Sequence, residues 1–244
     1  MFGMTLNRSE IARLIDHTQV HAYAALEDIR ELCDEAVQHG FASVSINAVW
    51  TSYCAKRLRD TGVRVNPTVG FPLGASTPHV KLEEAREAVR NGADELDMVI
   101  NVGALRSGYA EFAEREIAAV VKAAGDVPVK VILETSYLSA EQKVAVCELS
   151  VRCGASFVKT ATGFGLGGAT VEDVRLMRSV VGSNAGVKAA GGIRTYGQAR
   201  DLIEAGATRI GTSAGIAILA DAPEEMTDLA TGTGGDETAT DSGL

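Results

Sequence analysis

Four times along the chain a helix-like stretch stops at glycine and a short apolar run begins at once: Gly40-Phe41, Gly92-Ala93, Gly154-Ala155 and Gly206-Ala207. Glycine ends a helix readily because it accepts the left-handed conformation, and a short apolar run bounded by such breakers is strand-like. Eight runs of this kind can be read in order: Leu14–Thr18, Phe41–Asn47, Val63–Val69, Asp94–Ile100, Pro128–Glu134, Ala155–Thr160, Gly186–Ala190 and Thr208–Thr212. Helix patterns separate them, at a spacing of about 25 to 30 residues, and that alternation implies parallel strands with helical crossovers. Eight units in 244 residues predict a closed (β/α)8 TIM barrel, α/β in class and a single domain. No GxGxxG follows the first strand, which argues against an open dinucleotide-binding sheet.

The expected helices run from Thr5 to Leu14 at the N-terminus, then over 24–38, 48–60, 76–90 and 104–124. Four more are expected from Ser139 as N-cap to about Cys153, and over 171–181, 195–205 and 214–219. Residues 1–220 are thus assigned to the barrel and 221–244 to an acidic, disordered tail. That tail explains the net charge of −9: it holds seven acids and no Lys or Arg, and without them 25 acids face 23 bases. The body is near neutral, so no basic face is available for nucleic acid. The apolar runs fall far short of the roughly 20 residues of a membrane span. The first residues lack the basic-then-apolar pattern of a secretory signal, so the cytoplasm is the expected location. Cys33, Cys54, Cys147 and Cys153 show no CxxC spacing and read as reduced thiols, with neither disulfide nor metal site expected.

Catalytic groups of such barrels sit at the C-terminal ends of strands, and side chains alternate between the barrel interior and the helix layer. In the fourth strand Leu96, Met98 and Ile100 share one face, which leaves Glu95, Asp97 and Val99 on the other. In the sixth, Lys159 lies opposite Val158; in the seventh, Lys188 lies opposite Val187. The same parity sends Asp97, Lys159 and Lys188 into the barrel mouth. Lysine is seldom buried without a partner, and crowding by a second cation eases loss of its proton. A neutral amine is a nucleophile, so Schiff-base formation with a carbonyl substrate is the expected chemistry, with Lys159 as the amine. For Lys130 and Glu134 the pattern leaves two roles open, chemistry or an internal ion-pair network that fills the barrel.

Small-residue loops follow the strands that carry these groups: Thr162-Gly163, Gly191-Gly192 and Gly211-Thr212-Ser213-Ala214. Backbone N–H groups in such loops make an anion site, and in barrels phosphate is often held after strands seven and eight. A phosphorylated substrate is therefore expected. His17, His21, His39 and His79 form no triad or ligand spacing and are assigned surface or supporting roles.

The stretches Lys159-Thr160-Ala161-Thr162-Gly163-Phe164, Lys188-Ala189-Ala190-Gly191-Gly192-Ile193-Arg194 and Glu95-Leu96-Asp97-Met98-Val99-Ile100-Asn101 closely resemble those of the deoxyribose-phosphate aldolase family. Leu14-Ile15-Asp16-His17-Thr18 and the segment Asn66 to Gly74 fit the same pattern, and the similarity runs from about residue 9 to 220. The resemblance implies a class I aldolase needing neither metal nor cofactor. It would cleave 2-deoxy-D-ribose 5-phosphate to D-glyceraldehyde 3-phosphate and acetaldehyde, reversibly. On this resemblance Lys159 is the Schiff-base lysine, Lys188 lowers its pKa and Asp97 moves protons. Asp16 belongs to the same polar network at the substrate, and Thr162, Gly163, Gly191, Gly192, Ser213 and Ala214 hold the substrate and its phosphate. A homodimer is the assembly the resemblance offers. Two departures stand out: the chain ends Asp241-Ser242-Gly243-Leu244 without the closing tyrosine of some members, and Ser45 and Ala48 replace Cys and Pro. The alternatives are another Schiff-base barrel aldolase with a different phosphorylated or keto-acid substrate, or a barrel that binds sugar phosphates without turnover.

Overall fold

A computed structural model describes residues 6–224. Eight parallel strands close into a barrel in chain order: β1 (Ile15–Gln19), β2 (Ser43–Ile46), β3 (Arg64–Val69), β4 (Leu96–Val99), β5 (Val129–Ile132), β6 (Phe157–Lys159), β7 (Gly186–Ala190) and β8 (Arg209–Thr212), which pairs back onto β1. The connecting helices are α1 (Arg8–Ala12), α2 (Leu26–His39), α3 (Thr51–Arg57), α4 (Pro78–Arg90), α5 (Val102–Arg106), α6 (Ala110–Ala124), α7 (Ala140–Arg152), α8 (Val171–Val181), α9 (Tyr196–Glu204) and α10 (Gly215–Ala220). The (β/α)8 barrel expected from the alternation is the fold observed.

Strand parity sorts the residues into two layers. Val44, Leu96, Met98, Val131, Val158, Val187 and Ile210 point to the helices and are wholly buried. The interior is filled instead by Asp16, Ser43, Asn66, Asp97, Lys130 and Lys188, also wholly buried. The hydrophobic core is therefore the shell between strands and helices, where apolar burial contributes about 25 cal/mol per Å2. Polar groups in the interior must be stabilised by one another.

Several helix starts follow their caps. Ser139 Oγ accepts from the Gln142 N–H and Gln142 reaches back to the Ser139 N–H, a capping box at the start expected for α7. Asn7 and Glu10 form another at α1, so that helix begins later and ends earlier than the expected Thr5–Leu14. The single helix expected over 104–124 is two. Asn101 Oδ1 caps α5 through the Ala104 N–H at 2.9 Å, and Gly108 then ends it at φ +82°, a conformation a side chain would resist. The stretch expected as one helix over 48–60 is a 3-10 turn, Ala48–Trp50, followed by α3. Packing also continues past the expected boundary at 220: Ala222 is buried, and the Pro223 carbonyl accepts from the Arg8 N–H at 3.0 Å. The rest of the expected disordered tail, from residue 225, lies outside the described residues. No described helix is long and apolar enough to cross a membrane.

A buried ion pair fixes the end of β4. Lys81 Nζ lies 2.6 Å from Glu116 Oε2 and donates to the Val99 carbonyl at 2.7 Å, while Glu116 Oε1 accepts from the Asn101 N–H at 2.5 Å. Helices α4 and α6 thus clamp the strand that carries Asp97. Because both charges are fully buried, Lys81→Met leaves Glu116 uncompensated and is expected to cost about 3 to 5 kcal/mol in denaturant unfolding. The double variant Lys81→Met/Glu116→Gln should recover part of that loss; a single-variant cost below about 1 kcal/mol would contradict the clamp.

Candidate active site

Lys159, at the C-terminal end of β6, and Lys188, in the middle of β7, are register partners, so both side chains enter the barrel at one level. Asp97, on β4, reaches them from across the interior. Its Oδ2 accepts from Lys159 Nζ at 2.6 Å and from Lys188 Nζ at 2.8 Å, which puts the two amines within two hydrogen-bond lengths of each other. Lys188 Nζ also lies 2.5 Å from Asp16 Oδ2. Space for the Lys188 side chain comes from β8: a Cβ on Gly211 would stand 2.9 Å from Lys188 Cε.

The network continues below. Lys130 Nζ meets Glu95 Oε2 at 2.5 Å, Asn66 Oδ1 at 2.9 Å and Asp97 Oδ1 at 3.2 Å. Arg209 pairs with Asp16 at 2.7 Å and with Glu95 at 3.0 Å. Among the described residues, the barrel interior holds Lys130, Lys159, Lys188 and Arg209 against Asp16, Glu95 and Asp97. Arg64, half exposed, adds a further cation 3.0 Å from Glu95. Cations outnumber carboxylates, and the ammonium with the fewest carboxylate partners is the least well held.

That ammonium is on Lys159. Lys188 has two carboxylates and Arg209 two, whereas Lys159 touches Asp97 alone. Burial pushes the Lys159 amine down, Asp97 opposes this, and the charge of Lys188 adds to the fall, leaving it at about 8. The neighbouring cation lowers the amine as expected, and burial lowers it more. Burial would lower Lys188 too, but Asp16 and Asp97 overcome it and hold that amine above its ordinary value. Burial would raise the Asp97 carboxyl, yet Lys159, Lys188 and Lys130 keep it well below the carboxylate range.

Above Lys159 opens a cavity of about 220 Å3, below the roughly 300 Å3 lower bound of drug-sized pockets and so suited to a small ligand. Thr162, Gly163, Gly191, Gly192 and Ser213, the residues expected to hold the substrate, line it. Ala214 does not: its N–H donates to Thr212 Oγ at 2.9 Å, which turns it away from the cavity. Asp16 is no wall of the cavity either. It lies fully buried beneath, pairing Lys188 and Arg209. His17, expected at the surface or in support, is buried with Nε2 2.7 Å from Glu35 Oε2. His79 is exposed, and His21 stands at the cavity wall.

Lys130 joins the ion-pair network, one of the two roles left open for it. Glu134 does not share it: it sits in the left-handed region at φ +56° and accepts from the Thr162 hydroxyl. Sequence reasoning also passed over Arg209, Asn66 and Arg194. Parity along β3 and β8 would have turned Asn66 and Arg209 inward, while Arg194, exposed at the rim beside Gly192, carried no such signal. Among the described residues, no group of three or more His, Cys, Asp or Glu could hold a metal ion. Cys33 and Cys54 are free thiols with sulfurs 3.7 Å apart, and Cys147 and Cys153 are also free.

A family profile for the DeoC/LacD family aldolases matches residues 11–221, nearly the whole described fold. The chain belongs to the DeoC/LacD aldolase family. Among relatives of this family, the deoxyribose-phosphate aldolase of Thermococcus kodakarensis is 55% identical over 224 residues, covering 90% of this chain and all of that protein. That of Caldanaerobacter subterraneus subsp. tengcongensis is 56% identical over 212 residues, covering 86% of this chain and 92% of the relative. Among solved structures, the tetrameric deoxyribose phosphate aldolase of Aeropyrum pernix superposes with a TM-score of 0.82 at 35% identity, over 87% of this chain and 91% of that one.

In a lysine-based aldolase the amine must be neutral to attack. With borohydride and acetaldehyde, trapping on Lys159 is expected to rise with pH around a midpoint near 8 rather than 10.5. Lys188→Met removes a cation and leaves Asp97 more fully to Lys159, so the midpoint should move up by about one pH unit or more. An unmoved midpoint would mean that Lys188 does not tune the amine.

Proposed function

We propose that the chain catalyses reversible cleavage of 2-deoxy-D-ribose 5-phosphate to D-glyceraldehyde 3-phosphate and acetaldehyde. The observation that carries this reading is the Lys159 amine, held at about 8 by burial at the floor of a small cavity, with Asp97 at 2.6 Å. The relatives named deoxyribose-phosphate aldolase, at 55% and 56% identity, support the substrate.

In this reading neutral Lys159 Nζ adds to the C1 carbonyl of the open-chain sugar, and loss of water gives an iminium. The positive nitrogen withdraws electrons from the C2–C3 bond, which breaks as the C3 hydroxyl loses its proton, and glyceraldehyde 3-phosphate departs. The enamine left on Lys159 takes a proton at C2, and hydrolysis frees acetaldehyde and the amine. Asp97, kept ionised by three lysines, is the group that accepts protons, and Lys188, kept protonated by Asp16 and Asp97, is the group that returns them. The backbone of Gly163, Gly191, Gly192 and Ser213 would hold the phosphate, with Arg194 at the rim adding a charge that matches it. The hydroxyls of Thr18, Ser45 and Thr68 line the wall between these ends and suit a sugar hydroxyl.

A cytoplasmic location and a homodimer belong to the same proposal. The tetramer formed by the Aeropyrum pernix relative makes sedimentation of this chain the measurement that decides its assembly.

Borohydride reduction in the presence of deoxyribose 5-phosphate should place an adduct on Lys159, read by peptide mass mapping. Adduct on another residue, or none on folded active protein, would sink the assignment. Asp97→Asn is expected to lower kcat by about 10²- to 10⁴-fold, the range for a positioned proton-transfer group. EDTA should leave the rate unchanged, because the iminium is the electron sink; strong inhibition would favour a different aldolase chemistry.

A further inference from the structure

A second cavity of about 230 Å3 opens beside the first, and Thr162 and Phe164 line both. Its other walls come from the loops after β3, β4 and β5, among them Leu73, Val102, Arg106 and Tyr137. The glycine loops follow β7 and β8. In a barrel closed in chain order these two groups of loops face each other across the mouth, with Lys159 at the end of β6 between them. A substrate held by its phosphate on the glycine side and by its imine on Lys159 therefore has its donor carbons, C1 and C2, at Lys159, between the glycine loops and the second cavity.

The backbone beneath the partition is held firmly, while Phe164 itself is 49% exposed. The Phe164 N–H donates to Thr162 Oγ at 3.0 Å, and the Thr162 hydroxyl donates in turn to the Glu134 carboxylate. Glu134 also accepts from the Thr162 N–H at 3.2 Å. Gly165 is packed so tightly on Glu134 that an added Cβ would stand 2.8 Å from its Cδ. The Phe164 ring meets Phe71 edge-on, with centroids 5.5 Å apart.

We propose that Phe164 is a specificity-determining residue: its ring shuts the catalytic cavity off from a largely apolar subsite and so limits the donor carbonyl compound to acetaldehyde. This rests on the aldolase reading above. Opened, the subsite takes one or two further alkyl carbons of the donor. A larger donor reacts by the same balanced steps: its carbonyl condenses with Lys159 with loss of one water, its α-carbon loses a proton, the enamine adds to the acceptor aldehyde, and hydrolysis returns the water and the amine.

The test compares wild type with Phe164→Ala and Phe164→Leu, using acetaldehyde, propanal and acetone; the last two add one methyl at the α-carbon and at the carbonyl carbon respectively. Borohydride-trapped adduct on Lys159 is measured for each donor, alongside condensation with glyceraldehyde 3-phosphate. Trapping and turnover of at least one larger donor, relative to acetaldehyde, should rise about tenfold in Phe164→Ala, with a smaller rise in Phe164→Leu, as expected for one methylene in an apolar pocket. Unchanged ratios for both donors would overturn the proposal, as would loss of acetaldehyde trapping in both folded variants, since a size limit can be removed without removing the reaction. Wild-type protein that traps acetaldehyde but fails to condense it with glyceraldehyde 3-phosphate would count against the aldolase reading instead, while the trapping ratios would still decide the role of Phe164.

Discussion

A single carboxylate, Asp97, receives the ammonium groups of Lys159 and Lys188 on one oxygen and that of Lys130 on the other. Each of those lysines is buried, and an isolated buried charge is costly enough that it would neutralise or unfold the chain. Asp97 cannot satisfy all three. Asp16 and Glu95 take up Lys188 and Lys130, and Arg209 binds those two carboxylates together from β8. Cations outnumber carboxylates, and the ammonium at the mouth is the least well held. The low proton affinity of Lys159 comes first from burial, which its one carboxylate partner offsets only in part, and then from the cations beside it.

Within the cluster the Lys159 amine is the member that weakens the fold, whereas the lowered carboxyls of Asp16 and Asp97 and the raised amine of Lys188 strengthen it. One pKa unit is worth about 1.4 kcal/mol, so a lysine at about 8 instead of 10.5 lowers stability by about 3 kcal/mol. The folded pKa lies below the unfolded one, so the unfolded chain holds that proton more tightly between the two values. The cost is felt in full below pH 8 and is relieved as pH rises towards 10.5. The apolar shell between strands and helices offsets it. Fully buried valines, leucines and isoleucines on the outward side of nearly every strand supply the stability that the charged interior spends.

Most of this was legible because a strand has a period of two. Valines opposite Lys159 and Lys188 made the inward direction of both lysines plain, and Leu96 and Met98 did the same for Asp97. The rule was applied to three strands and would have served on two more, where Asn66 and Arg209 complete the cluster. Ala214 shows where parity stops helping: it lies in a loop, where one hydrogen bond to Thr212 decides which way an N–H points. Gly108 was a visible breaker inside a convincing helical pattern, and its left-handed backbone divided that helix. Glu134 was beyond any pattern, since its position follows from an unusual backbone angle and a tertiary contact with Thr162. Burial, too, could not be weighed from sequence, so the relative shares of burial and of the neighbouring cation in lowering the amine came only with the structure.

The interior cluster also constrains how such a chain can change over generations. Arg209 lies on β8 beneath the catalytic level, yet replacing it alone by a neutral residue would leave Asp16 and Glu95 more fully to Lys188 and Lys130 and reduce the excess of cations in the cluster. A neutral substitution at Glu95 would leave Lys130 to Asp97, at 3.2 Å, and so set it in competition with Lys159 for that carboxylate. Such positions can drift only in compensated pairs, a loss on one strand matched by a loss on another. The rim has no such bookkeeping, so new substrates can be sampled there while the charged floor stays as it is.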